Sequence, residues 1–214
     1  MKIIAFNGSP RKKFNTATLL EEALDGAARA GAEAELVHLH DLEFSGCVSC
    51  FSCKKLGGSS YGKCALKDEL RPVLEKVHQA DGLVLGTPVY FGAETGRTRQ
   101  FLERLLFPYL RYSVTDRSLF PRKIRTGLIY TMNVKEEALP GFGWDKGFAN
   151  THRLLGTIFG ACEMMLCCDT KQFQDYGKYD VTSFDPEHKE RHHQEVFPQD
   201  CRKAFELGQR MAAS

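Results

Sequence analysis

Gly8-Ser9-Pro10-Arg11-Lys12-Lys13-Phe14-Asn15-Thr16 is the stretch that decides the fold. A short apolar run, Ile3-Ile4-Ala5-Phe6, precedes it, and a helical pattern beginning at Thr16 follows. A strand, a loop of small and basic residues, then a helix: this order builds an anion site. The helix N-terminus offers unpaired backbone N–H groups and a partial positive charge. Ser9, Asn15 and Thr16 add neutral donors, and Arg11 or Lys12 adds charge. The bland alternative is a well-capped turn with Asn15 as N-cap. The loop lacks both the G-x-G-x-x-G of dinucleotide folds and the G-K-[ST] ending of nucleotide hydrolases. It suits one terminal phosphate, hence a mononucleotide.

The 214 residues fit a single domain over 1–214, and 43% apolar content is ample for a core. A net charge of +2 gives no electrostatic support for a nucleic-acid partner. No apolar run reaches bilayer length, so no membrane partner is expected. The apolar start is too short for a signal peptide, which makes the expected location cytoplasmic. Eight cysteines in such a chain read as reduced thiols, metal ligands or redox groups rather than a disulfide framework.

Strands are expected at residues 2–7, 35–39, 82–87, 124–131 and 162–168. Helices are expected at 16–30, 68–80 (capped by Asp68), 95–110, 148–160 and 199–212. The second strand alternates as an edge strand with one wet face, and the third must stop before Pro88. Alternating strands and helices imply an α/β fold, a doubly wound five-stranded parallel sheet of flavodoxin-like order 2-1-3-4-5 with helices on both faces. Residues 41–66 form a cysteine-rich loop of no regular period, too long to be idle. Residues 171–214 read as a C-terminal extension, polar to residue 198.

In this topology the loops after strands one, three and four converge on one crevice. Pro88-Val89-Tyr90-Phe91-Gly92 supplies flat apolar faces and a glycine for close approach; alone, Tyr90 and Phe91 read equally as plugs of the sheet end. Thr131-Met132-Asn133 closes the other side. A phosphate site at one end and a seat for a flat heterocycle at the other describe FMN. No side chain is needed as nucleophile or general acid.

Cys47, Cys50 and Cys53 form C-x2-C-x2-C, and Cys64 follows after a ten-residue gap. Four soft ligands in one loop suit an iron–sulfur cluster or zinc; free thiols or a disulfide are the other readings. Three features read as structural. His188, His192 and His193 lie in a charged run and suit a solvated helix face; His38 and His40 are exposed strand residues; Cys162, Cys167 and Cys168 belong to the core. Trp144 and Phe142 either cover a bound ring or pack on a second subunit.

G-S-P-R-K-x-x-N-T before a helix, A-D-G-L-V-L-G-T-P-V-Y-F-G at the third strand and T-G-x-x-x-x-F-L-E-R at residues 95–104 resemble the NADPH-dependent FMN reductase and iron–sulfur flavoprotein group. The likeness covers roughly residues 1–133. It implies that Ser9, Arg11, Asn15 and Thr16 hold the FMN phosphate. Pro88, Val89, Tyr90, Phe91 and Gly92 would then line the flavin opposite Thr131, Met132 and Asn133. It implies a [4Fe-4S] cluster on Cys47, Cys50, Cys53 and Cys64, although the last gap exceeds the group's usual few residues. Electrons would pass from NAD(P)H or a ferredoxin-like protein to an acceptor such as flavin or quinone, in a homodimer or homotetramer. Acidic electron-carrier flavodoxins are a weaker match to a chain of pI 8.1. A non-enzymatic electron carrier or redox sensor is the alternative.

Overall fold

The computed structural model describes residues 1–213. Its sheet contains β1 (Lys2–Asn7), β2 (Glu33–His38), β3 (Gly82–Tyr90), β4 (Ala93–Glu94), β5 (Ile124–Thr131) and β6 (Gly160–Cys167). The order is β2-β1-β3-β5-β6, all parallel, with the short β4 antiparallel to the end of β3. Counting parallel strands alone, this is the expected 2-1-3-4-5.

The helices are α1 (Asn15–Arg29), α2 (Leu70–Val77), α3 (Gly96–Leu106), α4 (Leu139–Phe142), α5 (Trp144–Phe159), α6 (Pro186–Glu195) and α7 (Phe197–Ala212). Side chains of a strand alternate between faces, and two cores follow. Ile3 and Ala5 of β1, Val84 of β3 and Ile129 of β5 pack with α1 and α7. Ile4 and Phe6, Leu83 and Leu85, Leu128 and Tyr130 face the other way, toward α2, α3 and α5. The central strands are therefore buried over most of their length, as a sheet covered on both faces requires.

Several boundaries differ from those the sequence suggests. Strand β3 runs through Pro88 to Tyr90. Gly86 points its carbonyl at β1's end, where Gly8 N–H donates to it (2.8 Å). Pro88, two residues on, faces the same side, but β1 has already ended at Asn7, so its missing N–H removes no ladder bond. Phe91 and Gly92 then close a two-residue hairpin with φ of 52° and 79°, the left-handed pair that such hairpins need. Asn15 is the first residue of α1 rather than its cap; Phe14 holds the cap position without a side-chain bond. Glu69 rather than Asp68 holds the cap position of α2, without a side-chain bond, and the Asp68 carboxylate is bonded to Arg104 of α3. Strand β6 lies at the sheet edge, so only Cys167 of its two cysteines is fully buried and Met164 is exposed.

Helices α1 and α7 cross at two glycines. A Cβ on Gly26 would overlap the Phe205 carbonyl, and one on Gly208 would overlap the Ala23 carbonyl. Helix backbones cannot be compressed, so a side chain there must push the helices apart. Gly208→Ala should therefore destabilise the protein by about 1–3 kcal/mol, the usual cost of overpacking. Urea denaturation reads this directly, and an unchanged midpoint would show that the crossing has slack.

Candidate functional site

The C-terminal ends of β1, β3 and β5 open onto a cleft of about 280 Å³. It gathers Ser9, Arg11, Asn15, Thr16, Pro88, Val89, Tyr90, Thr131, Met132 and Asn133. Two residues expected there stand aside: Phe91 projects fully into solvent at the hairpin tip, and Gly92 lies under the Trp144 indole. Trp144 itself lines the cleft.

The loop between β1 and α1 is fixed from within. Asn7 accepts from Ser9 N–H (2.9 Å) and is bonded to His38 Nδ1 (3.0 Å), while Ser9 Oγ accepts from Arg11 N–H (3.1 Å). Gly8 can approach α3 only without a side chain, since a Cβ would strike the Thr98 hydroxyl. Its carbonyl accepts from Thr95 Oγ1 (2.9 Å), the residue whose side chain caps α3. Thr16 and Thr131 share a buried hydroxyl–hydroxyl bond (2.7 Å) that ties α1 to the end of β5.

This frame leaves the start of α1 unpaired. The first helical bond is Thr18 N–H to the Phe14 carbonyl (3.0 Å). Among the described residues, the N–H groups of Asn15, Thr16 and Ala17 have no acceptor, and no acidic residue occupies the first turn. All three residues are buried. A buried, uncapped helix start needs an outside acceptor, and an anion satisfies it best. At the other end of the cleft, Asn133 Oδ1 is a buried acceptor without a partner.

The fourth wall comes from the extension, which the sequence did not connect to the site. Gln172 accepts from Arg11 through its carbonyl (2.5 Å) and from Asn133 Nδ2 through its side chain (2.8 Å). The Lys171 carbonyl accepts from Asn15 Nδ2 (2.9 Å), and Phe184 also lines the cleft. What pins this segment is Asp169. Its carboxylate accepts from buried Lys189 and from His188 Nε2 (2.6 Å), both on α6. The histidine-bearing helix is therefore docked rather than solvated. Burial alone pushes the Asp169 carboxyl up, but Lys189 and then His188 bring it below the usual value.

Behind the hairpin, Glu94 is a second buried carboxylate. Tyr130 and Thr151 donate to its Oε1 (Thr151 at 2.6 Å) and Arg99 to its Oε2 (3.1 Å). Burial pushes this carboxyl up, and the Thr151 and Tyr130 hydrogen bonds outweigh it, leaving it ionised. The cluster fixes the hairpin that carries Tyr90.

Cys47, Cys50, Cys53 and Cys64 line one narrow cavity against α3. Cys47 N–H donates to Glu103 (3.0 Å), and Lys54 caps the carbonyls after α3, including Pro108 (3.1 Å). Arg104 is buried, bonded to Cys64 Sγ (3.2 Å), the Ser45 carbonyl (3.1 Å) and Asp68. A cation between Phe101 and Leu105 on an apolar stripe was the available sequence signal for this buried pair. Hydrogen bonding by Ser52 holds the Cys50 thiol below its ordinary value, whereas burial pushes Cys53 up. Among the described residues, no three His, Cys, Asp or Glu side chains converge as a single metal ion requires.

A doubly wound parallel sheet with helices on both faces and an uncapped helix start at its C-terminal edge defines a protein of flavodoxin-like fold. The profile of the NADPH-dependent FMN reductase family matches residues 1–133, and the chain belongs to that family of oxidoreductases. An iron–sulfur flavoprotein of Archaeoglobus fulgidus is 43% identical over 104 residues, 49% of this chain and 48% of that protein. One of Methanocaldococcus jannaschii is 39% identical over 104 residues, 49% and 51% of the two chains. This chain thus spans about half the length of the relatives it matches. An NAD(P)H:quinone oxidoreductase from Methanothermobacter marburgensis superposes with TM-score 0.68 at 16% identity, covering 100% of this chain and 98% of that one. An azoreductase from Bacillus anthracis gives 0.69 at 14%, covering 98% and 99%. At such identities the superpositions speak for the fold alone. Among the described residues no helix is long and apolar enough to cross a membrane.

The lowered Asp169 value fixes a pH dependence. A carboxyl whose folded value lies below its unfolded one stabilises the fold above the unfolded value, and that stability is lost as pH falls through the folded one. Asp169→Asn should therefore destabilise at pH 6, and its deficit against wild type should shrink below about pH 4. Urea midpoints of both proteins from pH 6 to pH 3 test this; a constant deficit would remove the carboxylate from the explanation.

Proposed function

We propose that the chain is an FMN-dependent oxidoreductase that passes electrons from NAD(P)H or a ferredoxin-like protein to an acceptor such as flavin or quinone. The observation that carries this reading is the buried, uncapped start of α1 opening into a cleft walled by aromatic and apolar residues. The phosphate end falls to Ser9, Arg11, Asn15 and Thr16 with the helix N–H groups. Pro88, Val89, Tyr90 and Trp144 offer faces for a planar ring, with Thr131 and Met132 opposite. Phe91 and Gly92 shape the hairpin beside the ring. The unpartnered Asn133 Oδ1 suits a ring N–H. Bound FMN supplies hydride and single-electron chemistry; the protein binds, orients and shields it.

In the same reading, Cys47, Cys50, Cys53 and Cys64 hold a [4Fe-4S] cluster. Their common cavity and all-thiol donor set support this, as do the names of the relatives. Glu103, which anchors Cys47, lies seven residues along α3 from Gly96. At about 1.5 Å per residue that is roughly 10 Å along α3 from its first residue. The whole chain acts as one domain, with loop 41–66 carrying the cluster and the extension 171–214 closing the flavin cleft. It acts in the cytoplasm as a homodimer or homotetramer. An apolar groove between α3 and α5 that reaches Cys47 supports pairing.

Asn15→Ala with Arg11→Ala should cost most of the bound flavin, measured as the ratio of visible to ultraviolet absorbance after gel filtration. Full retention would move the site elsewhere. For protein purified without oxygen, flavin bands with about four irons and matching acid-labile sulfide per chain are expected. Flavin without iron would leave a cluster-free reductase, and no flavin after FMN addition would overturn the central reading. Negligible NAD(P)H oxidation with flavin, quinone and protein acceptors would favour a carrier or sensor.

A further inference from the structure

A second cavity, of about 560 Å³, lies between the outer face of α2, the end of α3 and residues 59–67 of the cysteine loop. It shares no residue with the cleft. It meets the cysteine cavity along one wall, where Cys64 and Arg104 face both.

Its charges do not cancel. Arg71 is paired with Glu75 (3.0 Å), and Arg104 with Asp68. Lys63 and Lys67 also line the cavity, and among the described residues neither has an ion-pair partner. Both lysines are exposed, and they leave two uncompensated charges at a cavity that Leu74 and Tyr109 also line. His78 lines the same space, its Nε2 bonded to the Tyr109 hydroxyl (3.0 Å). Burial, and after it Lys63 and Arg122, lower the His78 value, so it is neutral at pH 7 and adds a hydrogen-bonding group rather than another charge.

We propose that this cavity binds a small organic anion, its carboxylate or phosphate head between Lys63 and Lys67 and its apolar body on Leu74 and Tyr109. The volume falls in the range of small-molecule pockets, about 300–1,000 Å³. Concavity favours a small ligand over a protein surface. Unpaired charge beside low-dielectric walls concentrates the field on an incoming anion. Charge-assisted hydrogen bonds then fix the head. The ligand would rest against the wall that carries Cys64, away from the FMN cleft.

Calorimetric titration of the protein as purified, with saturating FMN present, tests this with phenyl phosphate and with benzoate. One site per chain is expected for at least one anion, the tighter of the two identifying the preferred head, and none for neutral benzyl alcohol. K63A/K67A should weaken binding at least about tenfold, as loss of hydrogen bonds to charged groups does. K63E/K67E should abolish it, and Lys123→Ala, an exposed lysine before β5, should leave it unchanged. The proposal is overturned if neither anion binds at millimolar concentration or if both double variants bind like wild type. It is equally overturned if FMN displaces the anion or K123A loses as much as K63A/K67A. Because FMN retention is read separately, failure here leaves the reading of the cleft untouched.

Discussion

Three backbone N–H groups, those of the buried residues Asn15, Thr16 and Ala17 at the C-terminal edge of the sheet, have no acceptor among the described residues. Most of the site is arranged to keep them there. Asn7 and Ser9 turn the chain by local hydrogen bonds, Thr95 and Thr98 hold Gly8 against α3, and Thr16 is tied to Thr131. Helix α1 is packed against α7 at Gly26 and Gly208, toward its C-terminal half. A helix start held open in this way carries a standing cost that an anion relieves. Family membership and cleft geometry thus meet in the same few atoms.

The extension completes this arrangement. Asp169 lies just beyond β6, and two side chains of α6 converge on it. That pairing, with the backbone bonds of Asp169 to Val134 and of Thr170 to Met132, sets the path of residues 170–172 across the loop between β1 and α1. A buried carboxylate with a buried lysine stabilises only as an intact pair, since removing one partner strands the other charge. The wall over the cleft therefore depends on an ion pair between residues 20 apart in sequence.

Arg104 performs a comparable service for the cysteine loop. Residues 45–68 have almost no regular structure, and their course is set by bonds to α3: Glu103 to Cys47, Arg104 to Cys64 and Asp68, Lys54 to the carbonyls after the helix. The four cysteines line one cavity because one helix face collects both ends of their loop. That same face leaves a cationic hollow on the far side of Cys64.

The sequence by itself determined the parallel sheet. Lys2–Asn7 and Ile124–Thr131 form as expected because apolar runs without polar alternation can be buried only between two helical layers. Strand order also implied that Ser9–Thr16, Pro88–Gly92 and Thr131–Asn133 converge, although Phe91 and Gly92 stand outside the cleft. Tertiary structure decided what depends on partners distant in sequence. Pro88 stays in a strand because β1 ends early, Asp68 leaves its helix for Arg104, and a charged histidine-rich helix is buried at Lys189 because Asp169 awaits it. Local propensity is short-ranged, whereas an ion pair across 20 or 36 residues becomes visible only once the chain has brought its members together.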